Sequence, residues 1–152
     1  MATRERNRYV LCQIVTESSL GNSFNAENIL FAYRHMVLSS WGELALATFG
    51  TASKVVISFA EFSGLFVARV PAKSLREASL ALGGIIAIGS KPCAVRVLHV
   101  SGRLSNTAKV TIEQLIHWRN SLSPEFAIPR KLQLDSQLRA SINSLLSLPS
   151  YL

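Results

Sequence analysis

The stretch Phe49–Val70, FGTASKVVISFAEFSGLFVARV, decides how the rest of the chain must be arranged. It reads as two strands joined by a tight turn. Val55, Val56, Ile57 and Phe59 make the first arm β-branched and aromatic, and Leu65, Phe66, Val67 and Val70 do the same for the second. Ser63-Gly64 separates the arms, because glycine reaches the positive φ of a hairpin turn at almost no steric cost. Neither arm alternates cleanly between polar and apolar residues. A strand apolar on both faces is the pattern of a central strand covered above and below. The hairpin is therefore expected at the middle of a sheet, with the flanking segments packed on it.

Upstream, Arg8 leads into Tyr9–Val15, YVLCQIV, a further strand apolar on both faces. A polar loop over 16–23 follows. Asn25 then fits the N-cap of a helix whose stripe is Ile29, Tyr33, Met36, Val37 and Ser40-Trp41, ended by Gly42 at C′. His35 falls off that stripe and is expected in solvent.

Downstream, Ser74-Leu75-Arg76-Glu77 matches a capping box and opens a second helix with stripe Leu75, Ala78, Ser79, Leu82, Ile85 and Ile86. Gly83-Gly84 falls inside it. No GK[ST] follows these glycines, so they form no Walker-type phosphate loop; close packing on the sheet is their expected use. Pro92 introduces a strand over 93–100, in which alternation puts Val95, Val97 and His99 on one face and Arg96, Leu98 and Val100 on the other. Ser101-Gly102 breaks it. A third helix follows from Arg103 to Lys109 onward, with Ile112, Leu115, Ile116 and Arg119 on one side. Pro124 and Pro129 bracket a linker, and Leu134, Leu138, Ile142 and Leu145 form a last amphipathic stripe.

The first six elements, strand–helix–strand–strand–helix–strand, make an α/β sandwich of the ferredoxin-like βαββαβ kind: an antiparallel four-stranded sheet with two helices on one face. Two additional C-terminal helices, or a partner protein, would cover part of the other. The expected organisation is a basic N-terminal arm over 1–7, a domain over 8–122, and a linker with an amphipathic helix over 123–152.

Composition narrows the function. Among 152 residues, 49% are hydrophobic, which excludes a disordered tail protein. Lys and Arg number 16 against 9 acidic residues, for a net charge of +7 and a pI near 10.0. That balance suits a polyanionic partner. Asp135 is the only Asp, so a carboxylate cluster for metal-dependent hydrolysis has little to be built from. Cys12 and Cys93 lie far apart in apolar runs with no CxxC and no His at metal spacing, and are expected small, buried and reduced. No secretory signal or membrane-length apolar run is present, which points to an intracellular soluble protein without cofactor or membrane. Arg4, Arg6 and Arg8, spaced by two, would point the same way on an extended arm.

Arg8-Tyr9-Val10-Leu11-Cys12, the hairpin with Ser63-Gly64-Leu65-Phe66-Val67-Ala68-Arg69, and Leu98-His99-Val100-Ser101-Gly102 followed by Lys109 resemble the Pop-five subunit of ribonuclease P and ribonuclease MRP. The element order agrees from Arg8 to about Trp118. The resemblance implies an RNA-binding subunit of a ribonucleoprotein whose RNA does the cutting, with a nuclear (nucleolar) place in a eukaryote and a cytoplasmic one in an archaeon. It implies as partners the ribonuclease P/MRP RNA, a TIM-barrel-like ribonuclease P subunit and other ribonuclease P subunits. This chain departs from the family at two places. Val56-Ile57-Ser58 stands where relatives carry a basic residue before the hairpin turn, and Ser105 stands where an Arg is usual, with Arg103 close by. From the residues themselves, RNA contacts are expected at Arg4, Arg6, Arg8, Lys54, Arg96, Arg103 and Lys109, which flank strand ends and turns, and at Ser105 and Asn106, which open a helix.

Two other classes fit parts of the chain. An independent RNA-recognition motif would stack bases on aromatics of its central strands, but Leu65 occupies one such place. A ferredoxin-like enzyme or small-molecule binder would have to use His99 with Cys93 or Glu61, and nothing in the sequence pairs them; a ferredoxin-like assembly module without RNA contact is at odds with the net charge of +7.

Overall fold

A computed structural model describes residues 6–17 and 20–121, with isolated positions between 136 and 146. The chain divides into two compact units, Met1–Gly102 and Arg103–Leu152. The first contains β1 (Asn7–Val15), α1 (Ala26–Trp41), the single turn α2 (Glu43–Ala45), β2 (Lys54–Phe59), β3 (Leu65–Pro71), α3 (Leu75–Gly83), the two-residue strands β4 (Ala87–Ile88) and β5 (Lys91–Pro92), and β6 (Ala94–Ser101). A π-helical turn, Leu46–Gly50, connects α2 towards β2. Within the second unit, α4 spans Leu104–Ser121.

The main sheet runs β2-β3-β1-β6, every neighbouring pair antiparallel, which is the expected ferredoxin-like arrangement. Its core lies on one face, where Val10, Cys12, Ile14, Phe66, Ala68, Val70 and Val95 meet Ile29, Tyr33 and Val37 of α1 and Ala78, Ala81 and Leu82 of α3. The opposite face is buried along its centre as well: Leu11, Leu65 and Val67 are fully inaccessible.

Only half of the decisive hairpin is central. β3 lies between β2 and β1, whereas β2 is an edge strand with Val55 and Val56 half-buried. The missing alternation has a different cause from double coverage. Val55 pairs with Ala68 and Ile57 with Val67, so Val56 is an extra residue in the ladder. A bulge of this kind sends Val55 and Ile57 to opposite faces. The same device acts in β6, where Leu11 pairs with His99 and Cys12 with Val97. Leu98 is the extra residue there, and it turns His99 away from the face of Val95 and Val97 on which simple alternation put it.

The β2–β3 connection is a five-residue turn over 60–64 rather than a two-residue one, with Ser63 N–H and Oγ both donating to Phe59 O at 3.0 and 2.7 Å. Gly64 ends it at φ 79°, and its carbonyl accepts Ile14 N–H at 2.7 Å, tying the turn to β1. A tight hairpin does occur, at Gly89-Ser90 between β4 and β5. Both residues have positive φ, as a type I′ turn requires, and Ala87–Pro92 and Ile88–Lys91 pair around them.

Helix ends agree in part with expectation. Asn25 Oδ1 accepts Asn28 N–H at 2.9 Å, and Gly42 caps α1 at φ 90°. Ser74 makes no capping bond, because a 3-10 turn over Ala72–Ser74 enters α3 instead. Gly83 ends α3 rather than lying inside it, so Ile86 falls beyond the helix and is 78% exposed. Gly84 serves close packing, but against α1: a Cβ there would lie 2.9 Å from Met36 Cε. In α4 the buried stripe is Leu104, Thr107, Ala108, Thr111 and Leu115, while Ile116 and Arg119 are exposed. Of the last expected stripe, Ile142 is helical and half-buried, whereas Leu134, Leu138 and Leu145 lie outside the described residues, as does Arg4. No described helix is long and apolar enough to cross a membrane.

Candidate nucleic-acid interface

The antiparallel register gathers cations at one end of the sheet. Lys54 pairs with Arg69, Arg69 with Tyr9, and Tyr9 with Ser101, forming one row across all four strands. Directly paired residues share a face, and this row lies on the side away from the α1–α3 core. At about 4.8 Å per strand, the row spans roughly 14 Å. Tyr9 is buried, Arg69 half-buried and Lys54 exposed.

Arg6, Arg8 and Lys73 stand at the same end. Arg6 O accepts Ala72 N–H at 2.9 Å, which carries the β1–β3 pairing one step past Asn7–Pro71 and brings the exposed Arg6 beside the exposed Lys73. Arg8 pairs with Val70, so it leans to the core side of the row. Its Nη1 donates to Asn7 O at 3.0 Å and lies 3.5 Å from where a Cβ of Gly102 would be. Its guanidinium is thus folded over backbone where β6 ends. Glu17 after β1 and Glu61 in the β2–β3 turn are at the opposite end, while Glu77 stands in the first turn of α3, shortly after β3. The cluster of Arg6, Arg8, Lys54, Arg69 and Lys73 makes this end locally cationic, which attracts a polyanion to it.

Arg96 does not join this group. It pairs with Gln13, four residues along β1 from Tyr9, and its Nη2 donates to Gln13 Oε1 at 2.8 Å. That places it roughly 13 Å from the basic row. In the second unit, Arg103, Asn106 and Lys109 are exposed and Ser105 is half-buried on the first turns of α4. Arg103 O accepts from Thr107 N and Oγ1 at 3.3 and 3.2 Å, which fixes the helix start. Arg69 and Lys73 join the site although sequence reading assigned them no contact. Arg69 stands at period two after Leu65 and Val67, but its place opposite Lys54 depends on the register, which the bulge at Val56 resets.

The geometry bears on the competing readings. The face on which an RNA-recognition motif would stack bases carries Tyr9, Leu11 and Gln13 on β1 and Leu65, Val67 and Arg69 on β3. Of its aromatics, Tyr9 on the central strand β1 is 7% exposed and offers no open ring, and Phe59, opposite Leu65, is half-buried on the edge strand β2 rather than on a central one. His99 stands opposite Leu11 with Nδ1 buried and unpartnered, Cys93 lies six residues away before β6, and Glu61 is in the distant turn. These three residues are not brought together. Among the described residues no group of three His, Cys, Asp or Glu side chains could hold a metal. Burial pushes the Cys12 thiol up to about 12, and it raises Cys93, which is only half-buried, more modestly.

A split βαββαβ sheet with a cluster of cations at one strand end defines a ferredoxin-like α/β protein with an anion-attracting edge. The chain belongs to the Rpp14/Pop5 family, a family of ribonuclease P proteins, whose model matches residues 8–112. No curated protein matches it. Among solved structures it is similar to a chain of the cryo-EM structure of yeast ribonuclease MRP, at 13% identity and a TM-score of 0.47, over 97% of this chain and 100% of that one.

Proposed function

We propose that this chain is an RNA-binding protein subunit of a ribonuclease P/MRP ribonucleoprotein, supporting the catalytic RNA in 5′ processing of precursor tRNA. The family match over residues 8–112 carries the reading. The cationic sheet end supports its RNA-contacting part. Phosphate contacts supply most sequence-independent affinity, and Arg6, Lys54, Arg69 and Lys73, gathered at that end, are proposed to make them. Arg8 is proposed to add to these contacts, with Arg4 ahead of it in sequence; on the second unit, taken by itself, Arg103, Ser105, Asn106 and Lys109 are proposed as further RNA contacts. Side chains do not read the deep major groove of A-form RNA, so shape and backbone are the expected features recognised. The proposed partners are the ribonuclease P/MRP RNA, a TIM-barrel-like subunit and further ribonuclease P proteins, in the nucleus of a eukaryote or the cytoplasm of an archaeon.

Capture of the tagged protein from its own cells, with sequencing of the bound RNA, tests this reading. Enrichment of the ribonuclease P or MRP RNA is the expected result, and enrichment of unrelated single-stranded messages would refute it. The isolated chain is expected to leave precursor tRNA uncut, because its role is to support RNA catalysis. Robust cleavage by RNA-free protein would overturn that division of labour.

A further inference from the structure

Lys54 and Arg69 are directly opposed on neighbouring strands, with their Cβ atoms about 5 Å apart by the geometry of such pairs. Like charges in this position destabilise a ladder. Here the ladder is already weak, since β2 is an edge strand and its bulge at Val56 follows two residues later. Neither side chain forms a hydrogen bond or ion pair with a described residue. Tyr9, the next residue along the row, is buried. The half-buried Arg69 carries a planar fork, and the exposed Lys54 opposite it adds a flexible point charge. A fork and a point charge on directly paired positions of two strands suit the oxygens of one phosphate.

We infer that Lys54 and Arg69 clamp a single phosphodiester of the bound RNA, and that the anion holds the start of the β2–β3 ladder together. The inference rests on RNA being the ligand of this sheet end. It adds to that reading a named phosphate site and a link between RNA binding and the stability of the edge strand. An anion between the two cations turns a repulsive cross-strand pair into an attractive triad. A carboxylate at position 54 would do the same without a ligand.

The test uses the full chain, Lys54→Glu, and Lys54→Gln as a neutral second variant. Thermal unfolding is followed at constant ionic strength with and without inorganic phosphate, and binding to an RNA duplex of arbitrary sequence is measured against salt. In phosphate-free buffer Lys54→Glu is expected to melt roughly 1 to 4 °C above the unaltered chain, with Lys54→Gln between them. Phosphate should raise the melting temperature of the unaltered chain alone. The log–log salt slope for RNA should fall by roughly 0.7 to 0.9 in either variant, the loss of one phosphate contact. If Lys54→Glu melts at or below the unaltered chain, or phosphate stabilises all three equally, the clamp is wrong. An unchanged RNA salt slope in Lys54→Glu also overturns the clamp while leaving RNA binding elsewhere on the chain intact. If the unaltered chain ignores the duplex yet phosphate stabilises it and neither variant, the clamp stands as an anion site and the RNA reading fails.

Discussion

Gly64→Ala is the substitution whose cost the structure fixes most narrowly. Gly64 holds φ 79°, in the left-handed region where an L side chain costs about 1 to 2 kcal/mol. The new methyl would lie 2.5 Å from Ile14 O and 3.4 Å from Ile14 N, both backbone atoms of the central strand β1. A flexible side chain could swing away, but strand backbone cannot. Relief therefore requires the turn to back off β1, lengthening the 2.7 Å bond from Ile14 N–H to Gly64 O, with about 0.5 to 1.5 kcal/mol at stake. Together these terms predict a loss of about 1.5 to 3.5 kcal/mol, a large part of the roughly 5 to 15 kcal/mol that stabilises a typical domain. Urea unfolding followed by circular dichroism measures it, with the m value expected to hold while the midpoint falls. Gly83→Ala is the control. Nothing lies within 4 Å of its added methyl and it sits at the end of α3, so it is expected to be neutral or to gain up to about 1 kcal/mol. Two midpoints within about 0.5 kcal/mol of each other would refute the steric argument.

Three further outcomes are expected. Burial pushes the Cys12 thiol from 9.0 to about 12, so the folded chain keeps a proton that the unfolded chain releases above 9. Stability from this group is full below pH about 9 and falls as pH rises towards 12; Cys12→Ala, though less stable at neutral pH, should show a flatter alkaline decline, and parallel curves would count against it. Ser53→Ala leaves the buried Tyr33 hydroxyl without its 2.9 Å partner and should cost about 1 to 3 kcal/mol, whereas Tyr33→Phe leaves Ser53 Oγ donating to Phe49 O at 2.7 Å and should cost less; the reverse order in denaturant melts would contradict this network. Replacing Arg103 and Lys109 together by Glu should weaken RNA binding for all sequences alike and lower the log–log salt slope by roughly 1.4 to 1.8, with an unchanged slope placing the RNA surface elsewhere.

Local chemistry was legible along the chain. The Asn25 cap, the Gly42 stop, the positive φ at Gly64 and the off-stripe exposure of His35 each depend on residues a few positions apart. The order of elements was legible too, and with it the βαββαβ class, because hydrophobic period and punctuation are properties of neighbours. The failures share a cause. The Ser74 capping box matched its pattern, yet a preceding 3-10 turn took the helix entry, and Gly83-Gly84 ended a helix that periodicity alone would continue.

By itself, then, the sequence determined which segments are strands and helices, that the chain is cationic, and which short motifs resemble its family. Tertiary structure alone decided which cations stand together. A single extra residue at Val56 or Leu98 reverses the facing of everything beyond it, since side chains alternate with period two and a bulge shifts that phase. So Arg96, prominent in sequence, is held by Gln13 far from the basic row, and Arg69, inconspicuous in sequence, faces Lys54 across the ladder. Strand pairing joins residues far apart in the chain, and no local pattern encodes its register.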